Sequence, residues 1–424
     1  MKSFSSFSFG CRVNQAELEN INREFQKKGF QYRKENSDFI IINSCAVTQK
    51  AERKTRQLIY QLKRKYPDSK IIVTGCAATL WQQKKVNIKG IILIPNSQKN
   101  NLVKLLISRQ KTNPKSDKNP FSKYLPSGRF LLKIQDGCNR HCSYCIVPFL
   151  RGTAKSQKIS KIIREIKSAQ NIKEVILTAI NTENFGMHSR ETLTELIRAI
   201  FTGTKVARIC FGSIHPWSLT DEFLDYYKKI VNDKLLSKRF VHFFHIPIQS
   251  GSDRILKLMN RGYAIAEIAK KINKLHQINP HALIATDIIV GFPGETEKDF
   301  QETYNFLKKS PISKFHIFRF SKREGTRAFS LAKNLGEVKP QIMSVRAKKI
   351  LLLGKDKYKE FQQNLLGQTY SALFLEKIIN NYQEVLLNNG VSALIQIGKG
   401  NAGEIKEVLL QSFQEGKLIG KPIE

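Results

Sequence analysis

The 424-residue sequence contains no apolar run that approaches the roughly 18 residues of a membrane-spanning helix. Its longest apolar runs, such as Ile91–Ile94, have only the length of a β-strand. The first residues, MKSFSSFSFGC, lack the apolar core of a secretory signal peptide. We therefore expect a soluble protein that stays in the cytoplasm and has no membrane partner.

Acidic residues are scarce: 35 of them stand against 71 lysines and arginines, which gives a formal net charge of +36. Such an excess favours a polyanionic partner. Residues 1–125 carry 25 basic and 8 acidic residues, and residues 126–355 carry 39 and 19. Residues 356–424 carry 7 and 8, so the last part of the chain is close to neutral. A basic proteome or selection for solubility would also explain this excess.

Cysteine is rare as well, with seven residues in the whole chain. Seven cysteines cannot pair completely, and a long chain without a secretory signal is not typical of a disulfide-stabilised fold. They form a dispersed trio, a closely spaced trio and one further residue: Cys11, Cys45 and Cys76; Cys138, Cys142 and Cys145; and Cys210. Reduced thiols grouped in this way indicate metal or redox chemistry.

Short apolar runs alternate with amphipathic stretches over residues 1–112. This alternation predicts an N-terminal parallel α/β domain. A polar, proline-containing segment follows, and we interpret residues 113–128 as a linker. The strand candidates of the first domain are Phe4–Phe9, Phe39–Ile42, Ile71–Thr74 and Ile91–Ile94.

The alternation resumes over residues 129–360, where six strand candidates are separated by helical segments. About six β/α units favour a central partial barrel whose functional loops follow the carboxyl ends of the strands. Residues 364–424 contain short β-runs separated by turns rich in Asn and Gly, which predicts a small C-terminal β-barrel. The expected fold class is therefore α/β with this additional barrel.

The closely spaced trio stands in DGCNRHCSYC, directly after a predicted strand. Thiolates at spacings of four and three can face one point, and they leave one iron of a cubane cluster without a cysteine ligand. An open iron is what a cluster needs in order to bind a ligand or substrate. A structural zinc site is the alternative, with His141 as its fourth ligand.

Each cysteine of the dispersed trio comes just after a predicted parallel strand. Loops at the carboxyl ends of such strands converge on one crevice, so these distant positions can share one site. Gly10 and Gly75 permit the sharp turn that would aim a thiolate inward. A single buried cysteine is usually a small hydrophobic residue, and only the placement of all three favours a metal site.

The segment DGCNRHCSYC resembles the radical S-adenosylmethionine (SAM) superfamily, in which three such cysteines hold a 4Fe-4S cluster and SAM chelates the fourth iron. With the dispersed trio, the chain resembles the methylthiotransferases of that superfamily over almost its whole length. The resemblance is carried by GCRVNQAELE, INSCAVTQKAERKTRQ, VTGCAATL, KIQDGCNRHCSYCIVPFLRG, FHIPIQSGSDRILKLMNRGY, TDIIVGFPGETEKDF and HIFRFSKREGT.

The resemblance implies two 4Fe-4S clusters with SAM as cofactor. Reduction of the cluster held by Cys138, Cys142 and Cys145 would cleave SAM to a 5′-deoxyadenosyl radical. The cluster held by Cys11, Cys45 and Cys76 would supply or carry the inserted sulfur. No catalytic residue beyond the cluster ligands is assigned.

Polar residues near the strand ends are the candidates for SAM binding. The segment HIPIQSGSD follows a strand and precedes a helix, where side chains can hydrogen-bond a polar cofactor. A helix cap at Ser252 or Asp253 would explain part of the same pattern. In LTAIN, Ala179 stands where the family commonly has glycine. The candidate SAM-binding residues are Tyr144, Asn181, Gln249 and Ser250.

The residues around Cys11 are similar to one branch of the family. GCRVNQ resembles the branch that modifies threonylcarbamoyladenosine in tRNA, whereas the isopentenyladenosine and ribosomal protein S12 branches are expected to read closer to GCQMN and GCPKN. The resemblance implies insertion of a methylthio group at C2 of threonylcarbamoyladenosine at position 37. The other two substrates remain alternatives, as does a zinc-dependent RNA-binding protein without catalytic activity.

The resemblance also implies partners. We expect tRNA, bound near adenosine 37 of the anticodon loop, and an electron donor such as flavodoxin or ferredoxin. The chain is expected to be a monomer. Residues 364–424 match the position of the family's TRAM domain, an RNA-binding barrel, although their net charge is −1.

Overall fold

The structure is a computed structural model that describes residues 2–107, 123 and 125–423. Most of the predicted linker over residues 113–128 lies outside the described residues. No helix in the described part of the chain is long and apolar enough to cross a membrane.

The first part of the chain alternates strands and helices as predicted. Its elements are β1 (Ser3–Ser8), α1 (Arg12–Lys27), β2 (Gln31–Tyr32), β3 (Phe39–Ser44), α2 (Gln49–Lys65), β4 (Lys70–Gly75), α3 (Cys76–Gln83), β5 (Ile91–Ile94) and α4 (Leu102–Ile107). The strands form one parallel sheet in the order β2-β1-β3-β4-β5. Every residue of β3 is buried, as expected for a central parallel strand with helices on both faces.

The central part forms an array of parallel strands with helices outside it. Its elements are β6 (Arg129–Asp136), α5 (Val147–Arg151), β7 (Lys155–Ser156), α6 (Ile159–Ser168), β8 (Glu174–Ala179), α7 (Leu193–Gly203), β9 (Arg208–Phe211), α8 (Asp221–Asn232), α9 (Lys234–Arg239), β10 (Phe243–His245), α10 (Asp253–Leu258), α11 (Ile265–Ile278), β11 (Leu283–Val290), α12 (Glu297–Lys309), β12 (Lys314–Arg319), α13 (Arg327–Leu335) and α14 (Pro340–Gln363).

These strands form two sheets, ordered β7-β6-β8-β9 and β10-β11-β12. A parallel bridge between Ile209 and Phe240 joins β9 to the chain before β10, so the six parallel strands form one partial barrel, whereas β7 is antiparallel to β6. Helix α1 of the first part covers the inner face of this barrel. Its Ala16 packs there in a cluster with Ile176 and Cys210. Cys210 therefore serves as a packed apolar residue of this cluster.

The last part of the chain is a closed β-barrel. Its strands are β13 (Thr369–Ile379), β14 (Tyr382–Leu387), β15 (Ser392–Gln396), β16 (Ile405–Gln414) and β17 (Lys417–Pro422). They pair in the order β13-β14-β15-β17-β16, and only β15 and β17 are parallel. The small barrel is confirmed, although β17 was not predicted from the sequence.

The C-terminal barrel is joined to the central barrel by buried polar contacts. Arg208, which is fully buried, donates from Nη1 to the Leu386 carbonyl at 2.8 Å and from Nη2 to the Leu387 carbonyl at 3.2 Å. The His242 N–H donates to the Asn388 carbonyl at 2.6 Å. The turn between β14 and β15 therefore lies against the amino-terminal ends of the central strands.

Candidate metal centre

The closely spaced cysteines lie in the loop between β6 and α5, at the carboxyl ends of the central strands. Gly137 adopts a φ of +69°, and a Cβ there would lie 2.7 Å from the Gly152 carbonyl oxygen, so only glycine fits. The Cys138 N–H donates to that carbonyl at 3.2 Å, and the Cys145 N–H donates to the Cys142 carbonyl at 3.0 Å. These contacts curl the loop and bring the three thiols near one another.

Two side chains donate hydrogen bonds to these sulfurs. Asn181 Nδ2 donates to Cys138 Sγ at 3.6 Å, and Arg261 Nη1 donates to Cys142 Sγ at 3.3 Å. Burial and the neighbouring Cys142 raise the pKa of the Cys145 thiol to about 12. Metal ligation would displace the thiol protons, and hydrogen bonds to the sulfurs are a normal part of iron–sulfur sites. The donor set therefore fits an iron–sulfur cluster.

Sequence patterns did not identify Arg261 as a site residue. The only indication was that it lies in the segment MNRGY, which is part of the family resemblance. Its side chain is buried and donates to Tyr144 Oη at 3.2 Å, Tyr263 Oη at 3.0 Å and the Pro247 carbonyl at 2.8 Å. The guanidinium also lies 4.5 Å from the centre of the Trp217 ring. Trp217 Nε1 is buried and has no hydrogen-bond partner among the described residues, so it can donate to a polar ligand.

The four candidate SAM-binding residues lie in different surroundings. Tyr144 belongs to the cysteine loop itself, and Asn181 lies beside that loop because its Nδ2 donates to Cys138 Sγ. Gln249 adopts a φ of +76°, and its backbone pairs with β11. Ser250 is buried, and its hydroxyl lies 3.2 Å from Thr303 Oγ1 on α12. The structure thus brings two of the four to the thiols, and SAM binding by all four stays a prediction.

The dispersed cysteines meet at the carboxyl edge of the first sheet. Cys11 precedes α1, Cys45 follows β3, and Cys76 opens α3. Gly10 and Gly75 adopt φ values of +103° and +94°, and a Cβ on Gly10 would lie 2.6 Å from the Cys45 Cβ. Burial and the thiols of Cys76 and Cys11 raise the pKa of Cys45 to about 12. The three thiols are therefore close enough to interact electrostatically.

N–H groups also face the sulfurs of this second trio. The Val47 N–H donates to Cys45 Sγ at 3.5 Å, and Asn96 Nδ2 lies 3.7 Å from Cys76 Sγ. The same Asn96 nitrogen donates to the Leu150 carbonyl of α5 at 3.1 Å. None of the seven cysteines forms a disulfide. This donor set fits a second metal cluster as well as the first set does.

A buried ionic network joins α1 to the central barrel. Arg151 at the end of α5 donates to Glu17 Oε1 at 2.8 Å and to Asp136 Oδ1 at 2.7 Å. Burial alone would raise the pKa of Glu17, but Arg151 and two lysines hold it well below its usual range. The network therefore ties the two cysteine trios together. The lysines that contact Glu17 are Lys99 at 2.6 Å and Lys133 at 2.9 Å.

Comparisons with known proteins agree with this architecture. Residues 132–307 match the radical SAM superfamily, and residues 4–93 match the uncharacterized protein family UPF0004. The threonylcarbamoyladenosine tRNA methylthiotransferase MtaB of Aquifex aeolicus is 33% identical over 401 residues, covering 89% of this chain and 95% of the relative. The tRNA-2-methylthio-N(6)-dimethylallyladenosine synthase of Thermodesulfovibrio yellowstonii is 33% identical over 384 residues, covering 86% of each.

A solved structure shows the same overall fold. The radical SAM methyltransferase TsrM from Kitasatospora setae, with cobalamin and a 4Fe-4S cluster bound, superposes with a TM-score of 0.53 at 12% identity. The match covers 79% of this chain and 78% of that one. The radical SAM fold implies a 4Fe-4S cluster and SAM. The radical SAM match and the sequence identity to curated relatives together show that this chain is an enzyme of the radical SAM methylthiotransferase family.

Proposed function

We propose that this enzyme replaces the C2 hydrogen of threonylcarbamoyladenosine at position 37 of tRNA with a methylthio group. The observation that carries the proposal is the pair of cysteine trios joined by the Arg151 network. One trio suits cofactor cleavage and the other suits sulfur delivery. The threonylcarbamoyladenosine branch is supported by GCRVNQ and by relatives bearing that name.

The reaction explains why two such sites are needed. The C2–H bond of adenine offers no acidic proton to a general base, so its activation requires a radical. When bound, SAM and the cluster at Cys138, Cys142 and Cys145 would supply that radical. Asn181 and Arg261 hold the cysteine loop through their hydrogen bonds to sulfur. In this proposal, the dispersed cysteines hold the second 4Fe-4S cluster, which supplies or carries the sulfur.

The proposal includes the expected partners and domains. tRNA would present adenosine 37 from a single-stranded loop, where a base can be splayed out of its stack. A flavodoxin or ferredoxin would supply electrons to a monomeric enzyme in the cytoplasm. The proposed domains are residues 1–112, residues 129–360 and a TRAM-like barrel over residues 364–424, with a linker over residues 113–128.

Deletion of the gene for this protein tests the proposed substrate. tRNA from the deletion strain is expected to lack 2-methylthio-threonylcarbamoyladenosine and to accumulate the unthiolated nucleoside, as measured by nucleoside mass spectrometry. Restoring the wild-type gene should reverse both changes, and a Cys142→Ala gene should reverse neither.

The isopentenyladenosine branch is the second candidate, because relatives named for dimethylallyladenosine match at similar identity. If the deletion strain keeps 2-methylthio-threonylcarbamoyladenosine and loses the 2-methylthio-isopentenyl nucleoside, this second candidate replaces the first. Loss of neither nucleoside would contradict both.

Gly10→Ala is expected to remove the second cluster and leave the first. The new methyl group would overlap Cys45 Cβ at 2.6 Å, and alanine is strained at a φ of +103°. Iron and sulfide content after anaerobic reconstitution should fall by about half, since one of two equal clusters is lost. Gly416→Ala is the matched control, because its φ is +77° and no atom lies within 4 Å of the added methyl group. Full iron content in a folded Gly10→Ala protein would contradict this assignment.

A further inference from the structure

Arg12 extends from the second cysteine trio onto the inner face of the central barrel. It is the first residue of α1 and follows Cys11 directly. Its Cδ lies 3.3 Å from the point that a Cβ on Gly212 would occupy, just beyond the end of β9. Because Gly212 has no side chain, the arginine stem can lie against the end of this strand. The side chain thus runs from the second trio into the barrel, where its charge acts on Glu174, Cys210 and Lys314.

Arg12 and Lys314 are two cations with no carboxylate at ion-pair distance in the described part of the chain, although the charge of Arg12 helps to lower the pKa of Glu174. Neither side chain makes a hydrogen bond or an ion pair with any residue that the structure describes, and both residues are half-buried. The Lys314 ammonium lies 5.2 Å from the centre of the Tyr358 ring. Burial and the positive charge of Arg12 lower the pKa of Lys314. Half-buried like charges that face each other favour binding of an anion.

The carboxylates near this face already have partners. Glu174 accepts from Arg129 at 2.8 Å and contacts Arg208 at 2.9 Å. Asp287 Oδ1 lies 2.8 Å from His245 Nε2 and 3.4 Å from His316 Nδ1. The positive charge of Arg12 and Lys314 is therefore left for a ligand.

We propose that Arg12, assisted by the charge of Lys314, binds the carboxylate that ends the N6 side group of the substrate nucleoside. This proposal rests on the proposed function, in which that side group is threonylcarbamoyl. The C2 atom must approach the second trio to receive sulfur, and Arg12 is bonded to one of its cysteines. A neutral side group such as isopentenyl leaves both cations without an anion, so Arg12 selects substrates by charge.

A backbone phosphate is the other anion that the same RNA could offer. The experiment therefore compares two anticodon stem-loop RNAs that differ only in the threonyl carboxylate, which is free in one and a neutral methyl ester in the other. Both RNAs keep every phosphate. The enzymes compared are the wild type, Arg12→Gln and Arg12→Lys, and kcat/KM for methylthio insertion is measured with each RNA.

For the wild type, kcat/KM is expected to be about tenfold to a hundredfold lower with the ester RNA than with the acid RNA, which is the usual effect of losing a hydrogen bond to a charged group. Arg12→Gln should show the low value with both RNAs, and Arg12→Lys should retain part of the preference. Equal preference for the acid in Arg12→Gln and the wild type would overturn the proposal. So would an equal loss on both RNAs, which indicates a phosphate contact.

Two controls distinguish a failure of this proposal from the loss of a cluster and from a failure of the proposed function. Iron and sulfide content, and SAM cleavage without RNA, show whether Arg12→Gln retains both clusters. If it does not, Lys314→Met decides, because Lys314 is remote in sequence from the cysteines. It should lower kcat/KM on the acid and not on the ester, and an unchanged acid preference would overturn the proposal. A wild type that acts on isopentenyladenosine RNA and not on threonylcarbamoyladenosine RNA would instead overturn the proposed function.

Discussion

Cys142→Ala is expected to abolish reductive cleavage of SAM, because two thiolates cannot hold the first cluster in its cage. Cys45→Ala is expected to retain cleavage to 5′-deoxyadenosine and to yield no methylthio product, because Cys45 belongs to the other trio. Mass spectrometry of 5′-deoxyadenosine and of the product nucleoside, on anaerobically reconstituted protein, measures both effects.

Cys210→Ala is the matched control for these two variants. Cys210 is buried in an apolar cluster with Leu131 and Ile176, and no cysteine of either trio belongs to that cluster. Its replacement should leave iron content, cleavage and product formation close to those of the wild type. The division of roles fails if a folded Cys45→Ala protein keeps the first cluster and yet loses cleavage.

Glu17→Gln is expected to destabilise the protein by about 3–5 kcal/mol, the usual cost of leaving buried charges without their partner. The change removes the anion that Arg151, Lys99 and Lys133 share. Urea unfolding midpoints, followed by circular dichroism, measure the effect. Glu35→Gln is the control, because its pair with Lys65 is exposed, and its midpoint should stay unchanged.

The effect of Glu17→Gln depends on pH in a defined direction. The neighbouring cations hold the pKa of Glu17 in the folded protein well below its usual range. Its stabilising effect is therefore complete above the unfolded value of about 4.3 and is lost as the pH falls further, through the folded pKa. The difference between the wild type and Glu17→Gln should shrink below that pH. A difference that grows on acidification would contradict the assignment.

Regular patterns in the sequence predicted most of the fold. Strands β5 (Ile91–Ile94) and β3, which was predicted over Phe39–Ile42, were located from unbroken apolar runs. The missed strands have weaker signals: β2 and β7 have only two residues each, and β17 contains a glycine and ends in a proline. Thr296 and Asp299 form a capping box at the start of α12, and their spacing of three residues is the local pattern from which such a cap can be predicted.

The candidate site was predictable only where its signal is local. The closely spaced trio is a local motif, and each dispersed cysteine follows a recognisable strand. Arg151 and Arg261 had no such signal, because their partners are distant in sequence. Arg151 meets Glu17 across 134 positions, and Arg261 meets Cys142 across 119. A lone arginine in a basic chain does not reveal which distant group it will contact.

The contacts of Arg208 with the end of β14 determine which segments of this protein can be removed or exchanged. A chain shortened at residue 364 would lose the carbonyls that receive this buried guanidinium, and it would expose Leu283, which packs in the core of the C-terminal barrel. Reduced RNA affinity in such a fragment would thus reflect damage to the catalytic part as much as loss of an RNA-binding surface. The β14–β15 turn belongs to the C-terminal barrel, so a chimaera that takes this barrel from a relative also takes a turn fitted to that relative's central barrel. The C-terminal barrel and the central barrel must therefore be exchanged as one unit.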